Sequence, residues 1–221
     1  MVSKNSRARS RVLAPALHGL LLAALLSSGC TGQGASDVYA GSPDFPVSRS
    51  GTELLGQKLE HLLPRHRPVR GNGPLLVRFW TDTCPFCATS LPALEELRIE
   101  FERAGLETLA VYHPKPKREM EPREEHEREM TRVAEDFGFG GGIALDPNWD
   151  SLKALWQDTA VEDESRDATS FSLLFDAEGR VRYVHPGPLF RSTPDRVEPG
   201  PYEDWLELQT AVRLLIEEAK L

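Results

Sequence analysis

The sequence predicts an α/β protein with a mixed central sheet flanked by helices. Three patterns carry this. Apolar runs at residues 75–80 and 106–112 have the length and composition of buried strands, and each leads toward a stretch of helical spacing. Residues 171–175 and 181–185 are two further runs, joined by Asp176-Ala177-Glu178-Gly179 as a tight antiparallel turn. Residues 202–221 close the chain as a helix, with Trp205, Leu208, Val212, Leu215 and Ala219 on one stripe. Strand–helix alternation that ends in a hairpin and a helix is the order of a mixed sheet between helices.

Taken along the chain, residues 31–50 are rich in Gly, Ser, Pro and Ala and read as a flexible tether. Fully extended, that tether reaches at most roughly 70 Å. Residues 52–63 carry Leu54, Leu55, Leu59, Leu62 and Leu63, a short amphipathic helix that Pro64 ends. Residues 65–74 are a basic, Gly/Pro-rich loop. The helix after the first strand runs from about Cys84 to Ala104, with Gly105 just past its end. His113-Pro114-Lys115-Pro116-Lys117 breaks the second strand. Residues 122–137 form a charged helix with Met130, Val133, Ala134 and Phe137 as its apolar stripe, and its mixed charges read as a solvated face. The glycine-rich turn at 138–142 follows a helix rather than opening one, which excludes a phosphate loop. Residues 143–145 are a short strand, Asp146-Pro147 starts a helix to about Gln157, and 161–167 is an acidic loop. There is no internal repeat.

The other elements are arranged around Leu75-Leu76-Val77-Arg78-Phe79-Trp80-Thr81-Asp82-Thr83-Cys84-Pro85-Phe86-Cys87. An apolar run ends in an aromatic pair, a short turn follows, and two cysteines come next with two residues between them. Beyond Cys87, Leu91, Leu94, Leu97 and Phe101 fall near one helical face, so Cys84 sits where a strand hands over to a helix. Unpaired N–H groups and the positive dipole end at a helix start both favour a thiolate. A cysteine there has a lowered pKa and is a usable nucleophile. Cys87, one turn further in, can close a disulfide with it. Zinc ribbons use the same spacing, but they need a second ligand pair, and the chain has no other cysteine pair.

This stretch resembles the thioredoxin superfamily. The order Phe79-Trp80, Cys84-Pro85-Phe86-Cys87, Leu91-Pro92 is similar to that of membrane-anchored periplasmic thioredoxins of the TlpA/ResA type. Pro92 matches the proline that kinks the active-site helix in that family. The resemblance runs from about residue 75 to the C-terminus and is weak over 114–137. It implies a thioredoxin-like fold over residues 51–221 and a thiol–disulfide oxidoreductase with no dissociable cofactor and no metal. Its redox-active disulfide would be Cys84–Cys87, with Cys84 attacking and Cys87 resolving. Trp80, Pro85 and Phe86 would be active-site neighbours, and Thr169 and Ser170 would stand in the loop that faces the cysteines. The partners implied are protein thiols and disulfides of the cell envelope, met by a monomer.

Three positions depart from the family pattern. Where thioredoxins bury an acid six residues before the first cysteine, this chain has Arg78. Where ResA-type relatives place a glutamate six residues after it, this chain has Ser90. A carboxylate can serve as base for the buried thiol, and neither expected one is present. Asp82 is nearby but reads as an exposed turn residue. Ser170, preceded by Thr169, replaces the family's cis-proline, and a cis bond before serine costs about 3 kcal/mol more than trans. His113 and His185 each end a strand, where either could bind metal or tune a thiolate. Both read first as hydrogen-bonded boundary residues.

Composition sets the compartment and the competing classes. The chain has 221 residues, about one domain with extras, and 40% apolar residues are ample for one core. Its net charge is −8, and setting aside the four cations of residues 1–29 (Lys4, Arg7, Arg9, Arg11) leaves −12, which argues against a nucleic-acid partner. Residues 1–29 have a basic start and an apolar run too short and interrupted for a comfortable membrane span, so they read as a signal segment. The run ends in Leu26-Ser27-Ser28-Gly29-Cys30, which resembles a bacterial lipobox and implies lipidation of Cys30. Residues 30–50 then tether the domain in the periplasm. Thr31, rather than aspartate, after Cys30 favours the inner face of the outer membrane. One anchor and one redox pair account for all three cysteines, and export places the pair where disulfides persist. Two other classes compete. A copper chaperone on the same fold would use Cys84, Cys87 and His185 or His113, although such chaperones usually space their cysteines by three residues. A thiol peroxidase would use Cys84, with Thr81 echoing the peroxiredoxin threonine.

Overall fold

A computed structural model describes residues 44–62, 72–82, 84–115, 121–157 and 169–221, apart from the side chain of His61. The expected signal segment, Cys30, most of the tether, most of the basic loop and the acidic loop lie outside the described residues.

Five strands form one mixed sheet: β1 (Leu75–Trp80), β2 (Glu107–Tyr112), β3 (Gly142–Leu145), β4 (Ser172–Phe175) and β5 (Val181–His185), in the order β3-β2-β1-β4-β5. The strand β1 is central, parallel to β2 and antiparallel to β4. At the edges β3 runs parallel to β2, and β5 pairs antiparallel with β4 across the 176–179 turn. This is the expected α/β, thioredoxin-like order. Every residue of β1 is buried, as a strand covered on both faces must be.

Alternation along β1 divides its side chains between two cores. Leu76 and Trp80 pack with Ala110, Tyr112 and Leu174 under helices α3 (Leu91–Phe101), α4 (Arg123–Asp136) and α6 (Gly200–Glu218). Leu75, Val77 and Phe79 pack with Val111, Leu173 and Val184 against Leu54, Leu155 and Trp156. Arg78 has the parity of Leu76 and Trp80, so a charged side chain enters the first core. It is level with Ala110 on one side and Ser172 on the other.

Several helices differ from the sequence expectation for local reasons. The stretch from Cys84 to Ala104 is not one helix. It is a turn, α2 (Pro85–Ala88), then α3 from Leu91, then a 3-10 turn at Glu102–Ala104 that stops at Gly105 with φ 107°. Pro92 forces the break, because its ring clashes with the carbonyl four residues back, at Ala88. Residues 52–63 are likewise two pieces, a 3-10 turn Thr52–Leu54 and α1 (Leu59–Leu62), separated by Gly56 in the left-handed region. After Asp146 the helix starts late, as α5 (Asp150–Leu152) running into a π-turn at Lys153–Gln157. The Asp146 carboxylate caps it by accepting from the amides of Ser151 and Leu152. In α6 the stripe Trp205, Leu208, Val212 and Leu215 is buried, but Ala219 lies past the helix end and is exposed.

The expected tether is packed at its C-terminal end. Phe45, Ser48 and Ser50 are buried, the Ser48 hydroxyl accepts from Val184 N at 2.9 Å, and Arg49 reaches Asp204 and Glu207 on α6. Packed chain therefore begins before residue 51. No helix among the described residues is long and apolar enough to cross a membrane.

Candidate active site

The strand β1 delivers Trp80 to the C-terminal edge of the sheet, and the chain turns through Thr81 and Asp82 into Cys84. Cys84 has extended backbone (φ −94°, ψ 111°) and caps α2, with Pro85 in the first turn. Cys87 N donates to Cys84 O at 3.1 Å, and the two residues are joined as a disulfide with Cα atoms 5.3 Å apart. Helix α2 is only four residues long, so what favours a Cys84 thiolate is the set of first-turn amides, where the dipole effect is concentrated in any helix.

The two sulfurs are unequal. Cys84 is half-buried, whereas Cys87 is 0% exposed within the first core. Pro85 and Phe86, the neighbours between the two cysteines, do not cover Cys87. Both are exposed, and Phe86 shows 56% of its surface to solvent. Cover for Cys87 comes instead from the core it belongs to, which includes Trp80, Ala88 and Leu91. Trp80 is fully buried and tilts against Tyr112, so it supports the site from beneath and presents no surface to a substrate.

The loop before β4 is fastened to the end of β1. Phe79 N donates to Phe171 O, and the Ser170 hydroxyl donates to Phe79 O at 2.6 Å. A stack of Phe79, Phe171 and Trp156, with ring centroids 4.5 Å apart at each step, holds this loop from below. Thr169 and Ser170 are therefore anchored beside the end of β1. Thr81 is buried and its hydroxyl donates to Asp82, whose carboxylate also accepts from the Tyr112 hydroxyl at 3.0 Å. Asp82 is thus tied into the turn rather than left as a simple exposed residue.

The two positions where the family carries acids are brought together. Arg78 is 0% exposed. It donates to the hydroxyls of Ser172 (3.0 Å) and Ser90 (3.3 Å) and to the carbonyls of Gly187 (3.1 Å) and Pro188 (2.6 Å). Its guanidinium also lies 4.9 Å from the centroid of the Phe190 ring. Burial pulls its pKa down to about 9, which leaves it charged at neutral pH. The sequence marked Arg78 and Ser90 as departures but gave no sign that they touch. The segment 187–190, which wraps the guanidinium, was missed, and the one available signal was Pro186-Gly187-Pro188 directly after β5.

Both strand-end histidines are buried. His113 follows β2, donates its backbone N–H to Trp80 O at 3.0 Å, and packs edge-on against Trp149. Burial pushes its pKa down to about 3, opposed by the nearby Thr169 backbone and reinforced by Lys115 and Arg78. His185 is also held low, first by burial, although Nε2 lies 3.3 Å from an Asp204 carboxylate oxygen. That approach lacks hydrogen-bond alignment, so burial wins. Both histidines are boundary residues: His113 is hydrogen-bonded through its backbone, and the ring nitrogens of both are buried without a well-aligned partner among the described residues. The described residues assemble no group of three His, Cys, Asp or Glu side chains able to hold a metal ion.

The chain is similar to two known thiol-disulfide oxidoreductases named ResA. One is from Geobacillus thermodenitrificans (strain NG80-2), 29% identical over 77% of this chain and 83% of the relative. The other is from Geobacillus kaustophilus (strain HTA426), 27% identical over 70% and 72%. Among solved structures it is similar to a thioredoxin-like protein in the oxidised form, at TM-score 0.45 and 17% identity, over 68% of this chain and 82% of that one. No family model matches.

The histidines give a pH dependence that follows from their burial. The folded value of about 3 for His113 lies below the ordinary 6.5, so the neutral ring stabilises the fold fully above 6.5. That contribution drains away as pH falls from 6.5 toward 3. We expect urea midpoints to drop across this window, and to drop less steeply for His113→Phe, which keeps an aromatic ring against Trp149. Parallel curves for the two proteins would show that His113 does not carry the effect.

Proposed function

We propose a division of labour within the Cys84–Cys87 pair of this chain, which belongs to the TlpA/ResA-type thiol–disulfide oxidoreductases of the thioredoxin-like family. The observation that carries the proposal is the inequality of the two sulfurs, one half-exposed and the other fully covered. Attack on a substrate needs access, and resolution needs only reach.

In the reduced protein the Cys84 thiolate attacks one sulfur of a substrate disulfide. A Cys84–substrate bond forms, and the other substrate sulfur leaves as thiolate. Cys87 then loses its proton and attacks the Cys84 sulfur. The Cys84–Cys87 bond forms, and the second substrate sulfur leaves as thiolate. Two electrons have passed from the pair to the substrate, and the same steps reversed oxidise a dithiol. Phe86, exposed beside Cys84, and the main chain around Thr169 and Ser170 form the surface on which the substrate segment lies. The substrates are protein thiols and disulfides, and no dissociable cofactor takes part.

The protein acts outside the cytoplasm, as a monomer held to the membrane by lipid on Cys30 and tethered by the residues after it. What supports this is the basic and apolar start of the chain, Ser28-Gly29-Cys30, and the Gly/Ser-rich stretch that follows. With Thr31 after Cys30, the inner face of the outer membrane is the membrane of choice.

Two experiments test this reading. Cys87→Ser should accumulate mixed disulfides with envelope proteins on non-reducing gels, while Cys84→Ser should not. Equal trapping by both variants would reverse or remove the assignment of roles. Mass spectrometry of the native N-terminus should find diacylglycerol on Cys30 as the first residue, and an unmodified terminus downstream of Cys30 would remove the anchor.

A further inference from the structure

Resolution of the mixed disulfide requires Cys87 to lose a proton inside a core that disfavours charge. The two places where a carboxylate base would stand are occupied by Arg78 and Ser90, and these two side chains touch. Arg78 stands on β1 between Leu76 and Trp80, whose side chains share one core with Cys87 and Phe190, and its guanidinium lies 4.9 Å from the centroid of that Phe190 ring. Ser90 links the two groups. It accepts from Arg78, donates to the carbonyl of Phe86 at 3.3 Å, and its amide donates to Cys87 O at 3.4 Å.

Among the described residues the charge on Arg78 has no carboxylate counter-ion. Its four hydrogen bonds among the described residues end on two hydroxyls and two carbonyls, with no carboxylate, and its Nε has no partner there. A fully buried cation without an anion is costly. Reduction of the disulfide is the event that can create one, because it frees a sulfur able to carry negative charge in the same core.

We propose that Arg78 is a positioning residue that acts through Cys87: its buried guanidinium favours the Cys87 thiolate over the thiol, and so takes the place of the missing carboxylate base when the mixed disulfide resolves. The inference rests on the proposed roles of Cys84 and Cys87. The proton that Cys87 gives up ends on the departing substrate thiolate or on solvent. The Cys87 electron pair forms the bond to Cys84, and the substrate sulfur leaves with the electrons of the bond that breaks. Charge attraction replaces proton acceptance, so no group in the core has to change its own protonation.

The other ionisable groups around this region do not supply the same effect. His185 at the end of β5 and His113 after β2 are buried and kept neutral. Asp204 on α6 is engaged by Arg49, and Asp82 by the Tyr112 hydroxyl. Both carboxylates, if felt at Cys87, would oppose a thiolate. Lys115 bears on His113, and Glu207 is held by Arg49 and Tyr183.

The test is a thiolate titration at 240 nm of the Cys84→Ser protein, in which Cys87 is the thiol of the pair that remains. With Arg78 present, the midpoint should fall below the ordinary cysteine value of about 8.5 despite full burial. Arg78→Met in that background should raise the midpoint by at least one pH unit, while Arg78→Lys should keep most of the lowering. A midpoint above about 8.5 with Arg78 in place overturns the proposal, and that measurement stands even if Arg78→Met does not fold. An unchanged midpoint in folded Arg78→Met overturns it as well. Wild-type protein is run alongside, reduced with dithiothreitol and returned to oxidised glutathione. Absence of exchange there brings down the oxidoreductase reading and this inference with it. Normal exchange with an ordinary, high Cys87 midpoint brings down the inference alone.

Discussion

A guanidinium sealed into the core between the central strand and the active-site helix constrains this molecule more than any other single group. Arg78 ties β1 to β4 through Ser172, to the active-site helix region through Ser90, and to the segment after β5 through the carbonyls of Gly187 and Pro188. Removing a charge of this kind from water costs several kcal/mol even after relaxation. The surrounding chain therefore converges on it with whatever oxygen it has. The turn at 187–190 owes its course to this demand, and Phe190 closes the shell with its ring face. Small changes in any of these four elements are felt at the others through one side chain.

Around that constraint the site separates two needs. In the proposed exchange one sulfur must be reached by a protein substrate, and Cys84 is the more accessible of the two, at the strand–helix junction with exposed Pro85 and Phe86 beside it. The same proposal asks for a second sulfur kept from solvent, and Cys87 is buried in the core. The platform beneath is apolar and rigid: Trp80 on Tyr112 below the cysteines, and Phe79, Phe171 and Trp156 stacked below the facing loop. Two buried histidines, both held neutral by burial, complete the edge of the sheet without adding charge.

Much of this was legible in the sequence because it is written in local patterns. The buried central strand, the hairpin at 176–179, the closing helix and the strand-to-helix placement of Cys84 all follow from periodicity and turn chemistry. What escaped was non-local. Pro92 announced a break in the active-site helix, yet where the helix would restart depended on packing. The exposure of Phe86 depends on how a four-residue helix is rotated, which no spacing rule fixes. Phe45, Ser48 and Arg49 sit in a stretch whose composition says linker, and they are held by β5 and α6, far away in sequence. The meeting of Arg78 with Ser90 also joins separate elements. Each was visible as an odd residue, but only the fold puts them in contact.

The account stands or falls on whether the Cys84–Cys87 bond is a working couple or a staple. Its reduction potential, measured by equilibrating the wild-type protein in glutathione buffers of known poise, separates the two most directly. Structural disulfides typically lie below about −300 mV, out of reach of glutathione, whereas catalytic and labile pairs lie above it. The account predicts a reversible couple clearly above about −300 mV, because a buried cation that meets no carboxylate among the described residues favours the reduced, anionic state. A bond that stays closed throughout the glutathione range, at or below that value, would contradict it.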